Sequence, residues 1–156
     1  MVIVIPTYNE AKNVESLCQA IFEYLPETEI IFVDDSSSDG TREILGRLGS
    51  QDKRVRYIFR DGQRSFVKSY IQGLTEALRG NPSFIIQMDA DFSHHPRYLP
   101  EVIKNLKDND LVIGSRYVRG GGVVNWPWSR KLLSLGGNWL AASVTSASLK
   151  DLTSGF

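Results

Sequence analysis

Short runs of apolar and β-branched residues recur along the chain, and each is followed by a polar turn. The runs cover residues 2–5, 29–33, 55–59 and 83–88, with a shorter one at 111–113. Apolar runs without polar alternation are typical of strands buried on both faces of a sheet. The pattern therefore predicts five strands whose sheet is covered on both sides.

Between these runs, apolar positions recur at helical spacing. Helices are predicted over residues 10–25, 41–48, 65–78, 99–106 and about 129–143, with Asp39 as a candidate cap of the second. The buried stripe of the first helix is expected to comprise Val14, Leu17, Cys18, Ile21 and Leu25. That of the third is expected to comprise Val67, Tyr70, Ile71, Leu74 and Leu78.

Strand and helix alternate through about the first 113 residues, which predicts an α/β domain with a mostly parallel sheet. A chain of 156 residues is long enough for one ordinary domain and too short for two. We therefore expect a single domain over residues 1–156. The last six residues, 151–156, do not resemble a natural tail, and we expect the domain to continue beyond Phe156.

Charge and cysteine content narrow the classes of function. The 18 basic and 18 acidic residues balance, which argues against a nucleic-acid-binding protein. Cys18 is the single cysteine, and its place on a helical apolar stripe indicates a buried structural thiol. No signal peptide is visible, and no apolar stretch approaches the roughly 20 residues of a membrane span. We expect a soluble or membrane-peripheral chain.

Acidic residues follow three of the predicted strands. Glu10 lies in the turn after the first strand, Asp34 and Asp35 follow the second, and Asp89 and Asp91 follow the fourth. Ligands of open parallel sheets bind beyond the carboxyl ends of the strands. Carboxylates gathered at one edge repel each other and call for a cation. The sequence therefore predicts a cation-assisted binding site there.

Asp89 and Asp91 are the strongest candidates for that site. On an extended backbone, residues two apart point to the same side, and two carboxylates suit Mg²⁺ or Mn²⁺. Ala90 between them leaves room for a ligand near the backbone. Ordinary turn aspartates are the alternative, which the neighbouring acidic residues disfavour. His94 and His95 are adjacent, which is poor spacing for a shared zinc site.

Other nucleotide-binding motifs are missing. The loop after the first strand lacks the glycine pattern of dinucleotide sites, and no Gly-Lys-Ser/Thr phosphate loop occurs. Pro6 and Tyr8 suit a flat base instead. Asp35 is placed to accept hydrogen bonds from a ribose or base, although the Asp34–Asp35 pair could also cap the next helix. A flavodoxin-like receiver domain is disfavoured because its acidic pair follows the first strand.

Four segments together resemble family 2 inverting glycosyltransferases of the GT-A fold, in the dolichol-phosphate mannose synthase-like branch. They are residues 2–10 (VIVIPTYNE), 33–35 (VDD), 88–94 (MDADFSH) and 114–117 (GSRY). The resemblance covers essentially the whole chain in the right order. It implies a Rossmann-like, three-layer α/β/α domain.

The resemblance also implies roles for single residues. The nucleoside would be held by Pro6, Tyr8, Glu10, Val33 and Asp35. The metal and diphosphate would be held by Asp89, Ala90 and Asp91, with Ser93 near the metal. Arg116 and Arg130 match basic positions expected to meet the donor diphosphate or the acceptor phosphate, although surface arginines are the alternative.

Two segments limit the resemblance. Residues 62–65 (GQRS) stand where the family usually shows a Gly-Leu-Gly stretch, with Arg60 and Lys68 keeping basic character nearby. The change leaves open which sugar nucleotide is the donor and how this loop closes. Residues 151–156 (DLTSGF) resemble a later family motif that is normally followed by an arginine.

The activity implied is transfer of a hexose, mannose in this branch, from GDP-mannose or a UDP-hexose to a polyprenyl phosphate, with Mg²⁺ or Mn²⁺. A glycan acceptor, or nucleotide-sugar binding without turnover, are the alternatives. The helix near residues 129–143 is apolar on much of its surface, with Arg130 and Lys131 at its start. It could pack on the sheet, face a segment outside this sequence, or lie at the cytoplasmic face of a membrane. For Trp126 and Trp128, core packing and a role at the acceptor or the membrane interface are the alternatives.

Overall fold

The computed structural model describes residues 1–118, 121–122, 127–145 and 151. The chain divides into two compact units, Met1–Asp108 and Asn109–Phe156. The expectation of one domain over the whole chain stays a prediction.

The first unit is built on a parallel sheet. Its strands are β1 (Val2–Thr7), β2 (Glu29–Asp35), β3 (Val55–Arg60) and β4 (Ile85–Gln87), in the order β3-β2-β1-β4. Every neighbouring pair is parallel. The α/β class and the first four strands are confirmed, although β4 is shorter than the sequence predicted.

Five α-helices connect or follow the strands. They are α1 (Val14–Tyr24), α2 (Thr41–Gln51), α3 (Phe66–Arg79), α4 (Leu99–Leu106) and α5 (Trp128–Thr145), with a 3-10 turn at Pro96–Tyr98 before α4. Ser65 caps α3, because its hydroxyl accepts a hydrogen bond from the Lys68 amide. All five helices were predicted, with ends that differ by a few residues.

The sheet is apolar on both faces, which explains the uninterrupted apolar runs. Val4 and Val33 belong to a core cluster on the α3 side, while Ile3, Ile5 and Phe32 alternate with such residues and are also fully buried. The α1 stripe from Val14 to Ile21 is buried as expected. Cys18 lies in that stripe, and burial raises the pKa of its thiol to about 11. The structural role expected for this cysteine is confirmed.

The buried face of α3 differs from the prediction. Ser69, Gly73 and Ala77 face the sheet, whereas Val67, Ile71 and Leu78 are exposed. The reason is a close approach of backbone to sheet. A Cβ at Gly73 would lie 2.4 Å from Val4 Cγ1 and 2.9 Å from Val33 Cγ2. Small residues therefore form the closest contact. Tyr70 and Leu74 of the predicted stripe are partly buried and pack against the core, so the prediction is confirmed for these two residues and wrong for the three exposed ones.

Two further predictions are corrected. Residues 111–113 form no strand, and Leu111 is exposed. A run of three residues is stable as a strand only beside a partner, and no sheet partner occurs for it in the described ranges. Asp34 and Asp35 were assigned to a turn but lie inside β2, where both pair with β3. The strand thus carries its carboxylates to the edge of the sheet.

The described part of the second unit is mainly α5. None of the α5 residues is buried, and Trp128, Leu133 and Trp139 are more than two-thirds exposed. Among the described residues, no helix combines the length and apolar character needed to cross a bilayer. Gly120 and Trp126 of the preceding loop lie outside the described residues.

Candidate functional site

A cavity of about 460 Å³ lies at the carboxyl ends of the strands in the first unit. Residues 6–8 and Glu10 of the first strand and its loop line it, together with Asp35 of β2. Residues 64–66, Ser69 and residues 89–91 complete the wall. The structure thus brings together the three acidic clusters that the sequence placed at this edge.

The loops after β1 and β2 hold each other in place. The Asn9 amide donates to Ser37 Oγ over 2.8 Å, and the Glu10 amide donates to Thr41 Oγ1 over 2.9 Å. Asp39 accepts from the amides of Ala11 and Thr41. Gly40 is the residue before α2, so Asp39 serves the helix start from one position earlier. The loop after β1 is therefore fixed at the cavity by bonds from its amides to side chains that follow β2.

The two neighbouring aspartates of β2 have different tasks because side chains alternate along a strand. Asp34 is fully buried and accepts from Thr7 Oγ1, Arg42 Nε and the Ser37 amide and hydroxyl. These bonds occupy its carboxylate inside the protein. Asp34 is therefore a structural residue that ties β1, β2 and α2 together.

Asp35 lines the cavity and is held by partners from β3 and the start of α3. Arg60 forms an ion pair with Asp35 Oδ1, and the Ser65 amide donates to Oδ2 over 2.6 Å. Both side chains of the ion pair are about nine-tenths buried. Ser69 Oγ lies 3.1 Å from the Arg60 guanidinium. The carboxylate therefore has a fixed orientation before any ligand arrives.

Asp89 has two neighbours that sequence reasoning did not assign to the site. The Tyr70 hydroxyl donates to Asp89 Oδ1 over 3.1 Å, and the Asp89 amide donates to His94 Nδ1 over 3.0 Å. Burial, with the nearby Asp89 charge, raises the pKa of Tyr70 well above its usual range. Tyr70 therefore stays a neutral donor. No sequence pattern indicated these roles, because Tyr70 fitted an apolar stripe.

Asp91 is stabilised as an anion. Partial burial acts to raise the pKa of Asp91, but hydrogen bonds from Ser93 outweigh it and the pKa is lowered. The Ser93 amide donates to Asp91 Oδ1 over 2.9 Å. The next residue, Phe92, has a φ of 61°, a left-handed conformation that bulky side chains disfavour by about 1–3 kcal/mol. Such strain is typical of loops shaped for binding.

Asp89 and Asp91 suit a hard divalent cation. Both residues line one cavity, and the lowered pKa of Asp91 favours its charged form further. No cluster of three or more potential ligand residues occurs in the described part of the chain. Mg²⁺ and Mn²⁺ commonly use one or two carboxylates and fill their remaining positions with water and phosphate oxygens. The donor set thus fits an ion shared with a phosphate-bearing ligand.

Several predicted site residues lie elsewhere. The Val33 side chain is fully buried beneath Gly73, so it has no surface for a ligand. Ser93 is exposed and bonded to Asp91 through its amide, and it does not line the cavity. His95 accepts from the Arg97 amide at the start of the 3-10 turn. His94 and His95 thus both have structural partners.

The two arginines implied by the resemblance belong to the second unit. Nε and Nη2 of Arg116 each donate to the Asp151 carboxylate over 2.7 Å. Burial acts against ionisation of Asp151, but the bonds from Arg116 prevail and lower its pKa to about 2. Arg130 lies in the first turn of α5 and is exposed. Residues 152–156 of the motif that begins with Asp151 lie outside the described residues.

Comparison with known proteins gives a consistent result. Residues 2–152 match the model of the family described as Glycosyl transferase family 2. The undecaprenyl-phosphate mannosyltransferase of Micrococcus luteus is 35% identical over 153 residues, which are 98% of this chain and 63% of that protein. The polyprenol monophosphomannose synthase of Mycolicibacterium smegmatis is 36% identical over 156 residues, covering 99% of this chain and 59% of that protein. The chain thus spans about three-fifths of the length of these relatives.

A solved structure is similar in fold. The mannosyltransferase of Pyrobaculum calidifontis, in complex with GDP-Man and Mn²⁺, superimposes with a TM-score of 0.54 at 25% identity. The match covers 69% of this chain and 32% of that one.

Proposed function

The chain belongs to glycosyl transferase family 2, and we propose that it transfers mannose from a nucleotide diphosphate sugar to a polyprenyl phosphate with inversion at the anomeric carbon. The names of the two relatives support the sugar and the lipid acceptor. GDP-mannose in the solved relative supports that donor over a UDP-hexose.

The observation that carries the proposal is one cavity whose lining follows the strand order β2-β1-β4, from Asp35 at one side to Asp89 and Asp91 at the other. Pro6, Tyr8 and the fixed carboxylate of Asp35 line the part that we assign to the nucleoside. Asp89 and Asp91 line the same cavity and fit a cation that holds a diphosphate. A nucleoside diphosphate has the same order of parts, since a flat base is joined through a ribose to phosphates.

A divalent ion bound at this site would neutralise the charge that develops on the leaving diphosphate. The chain supplies Asp91 as a stable anion and Asp89 with its orientation set by Tyr70. Mn²⁺ in the solved relative supports the proposal, and titration of GDP with Mn²⁺ and with Mg²⁺ distinguishes the two ions.

The acceptor explains why the site needs no strong base. A polyprenyl phosphate is already an anion at neutral pH, so its oxygen attacks the anomeric carbon directly while the bond to the diphosphate breaks. A sugar hydroxyl would require a positioned base to remove its proton. We propose Arg116 and Arg130 as contacts for donor or acceptor phosphate, with Asp151 orienting the Arg116 guanidinium.

The proposal is tested by incubating the protein with sugar-labelled GDP-mannose, Mn²⁺ and either a polyprenyl phosphate or a panel of glycans. We expect labelled product in the lipid extract, and none with UDP-glucose as donor. Product on a glycan instead would make the chain a polysaccharide or glycan transferase. Nucleotide binding without product on any acceptor would make it a binding module.

We also propose that the second unit contacts a membrane surface, at its cytoplasmic face if the acceptor is there. Helix α5 contains no acidic residue, begins with Arg130 and Lys131, and exposes Trp128 by 75% and Trp139 by 73%. Aromatic and basic side chains together favour the interface of an anionic bilayer.

Sedimentation with vesicles tests this contact. We expect binding to phosphatidylcholine vesicles that contain phosphatidylglycerol, and about tenfold weaker binding after Trp128→Ser with Trp139→Ser, since each aromatic anchor buries apolar area. Leu111→Ser is the control, because Leu111 is also exposed but lies outside α5. Equal vesicle binding by all variants would contradict a membrane contact through this helix.

A further inference from the structure

A cation lies on the aromatic ring that faces the candidate cavity. The guanidinium carbon of Arg64 is 3.3 Å from the centroid of the Tyr8 ring, and both side chains line the cavity. A contact at the ring edge would place that carbon farther from the centroid, so the guanidinium lies over the ring face. The two planar groups therefore form one stack in the cavity wall.

This stack is the main interaction of Arg64. Within the described ranges of the chain, its guanidinium forms no hydrogen bond or ion pair, whereas the nearby Arg60 is committed to Asp35. The side chain of Arg64 is exposed and lines the cavity, so a ligand bound there can contact it. Arg64 also lies in the segment 62–65 that replaces the usual Gly-Leu-Gly stretch. A planar cation thus lies in the segment where this chain departs from the usual family pattern.

We propose that the Arg64 guanidinium, supported by Tyr8, is the platform on which the nucleobase of the donor stacks. The proposal rests on the proposed function, since it assigns a further residue to the same nucleotide site. Arginine planes stack on bases, and the Tyr8 ring beneath restricts the guanidinium to one orientation. A base on this platform would lie beside the Asp35 carboxylate, which accepts hydrogen bonds from ring N–H groups.

The shape of the group matters here as well as its charge. A contact to phosphate would need a positive charge but no flat surface, and a lysine would serve it nearly as well. The stack on Tyr8 instead uses the plane that distinguishes arginine from lysine. The lysine variant therefore separates a base platform from a phosphate contact.

The test measures calorimetric affinity for GDP, for UDP and for inorganic pyrophosphate, each with Mn²⁺. We expect Arg64→Ala to lower the affinity for whichever of GDP and UDP the wild type binds more tightly by about tenfold, which is within the range that loss of base stacking produces. Arg64→Lys should weaken it similarly, because the charge remains but the plane is lost. Pyrophosphate affinity should be unchanged in both variants. Lys68→Ala is the control, since Lys68 is an exposed cation outside the cavity wall.

Three results would overturn the platform. Wild-type affinity in Arg64→Lys would indicate a charge contact, and tighter binding in Arg64→Ala would mean that Arg64 covers the base site of Tyr8. Equal loss of nucleotide and pyrophosphate affinity would place Arg64 at the phosphates.

Tyr8→Leu should lower the nucleotide affinity less in the Arg64→Ala background than in the wild type, because Arg64→Ala has already removed the stack to which Tyr8 belongs. Failure of the wild type to bind either nucleotide would instead refute the proposed function.

Discussion

Asp91→Asn is expected to abolish the part of nucleotide binding that depends on a divalent ion. Asparagine keeps the shape of the side chain and the oxygen that accepts from the Ser93 amide, but it removes the charge. We expect the affinity for GDP with Mn²⁺ to fall at least about a hundredfold, and turnover to fall in proportion, because the diphosphate loses its charge partner. Calorimetric titration of GDP with and without Mn²⁺ measures the difference.

Asp108→Asn is the matched control, because it removes one exposed carboxylate from the same unit without touching the cavity. It should bind GDP as the wild type does. The pH dependence gives a second check. Since the pKa of Asp91 is lowered, the carboxylate stays ionised at a pH where an ordinary aspartate begins to take up a proton, and metal-dependent binding should persist there. Unchanged stimulation by Mn²⁺ in Asp91→Asn would contradict the metal assignment.

Asp34→Ala is expected to lower the free energy of unfolding by about 3 kcal/mol, out of a total of about 5–15 kcal/mol for an ordinary domain. Removal of this buried carboxylate leaves Thr7, Ser37 and Arg42 without their shared acceptor. Loss of one partner of a buried ion pair costs about 3–5 kcal/mol. We expect the lower value because the Arg42 side chain is 27% exposed and can be hydrated once its partner is removed. Urea unfolding followed by circular dichroism measures the change.

Asp61→Ala supplies the comparison, since Asp61 pairs with the same Arg42 guanidinium over 2.9 Å but is 83% exposed. An exposed ion pair contributes at most about 1 kcal/mol, so this variant should unfold nearly as the wild type does. Equal losses from both variants would show that burial of Asp34 is not what makes it important. The two variants thus separate the contribution of the buried carboxylate from that of the exposed one on the same arginine.

Sequence reasoning predicted the elements of the first unit well because their apolar patterns are local. The uninterrupted run in β1 requires a strand buried on both faces, and the stripe of α1 requires a helix with one buried side. The acidic clusters after three strands then meet at one edge, because parallel strands end on the same side of a sheet. The cavity lined by Asp35, Asp89 and Asp91 confirms that this meeting was predictable.

The same reasoning failed where packing decides against apolarity. The contact face of α3 is set by how closely Gly73 approaches the sheet, and no spacing of leucines or valines reports that distance. The run at residues 111–113 resembled a strand, but a strand also requires a neighbour. Both errors come from applying a local pattern to a property of two elements.

The sequence by itself determined that parallel strands carry carboxylates to one edge, since the alternation of strands and helices and the acidic residues after three strands are local features of the chain. Only the tertiary structure decided which carboxylates face a ligand. Asp34 and Asp35 are equivalent in the sequence, yet Arg42 and Thr7 bind the first inside the protein while Arg60 orients the second towards the cavity. The partners come from elements far apart in the chain, so their arrangement exists only after the sheet and helices have packed.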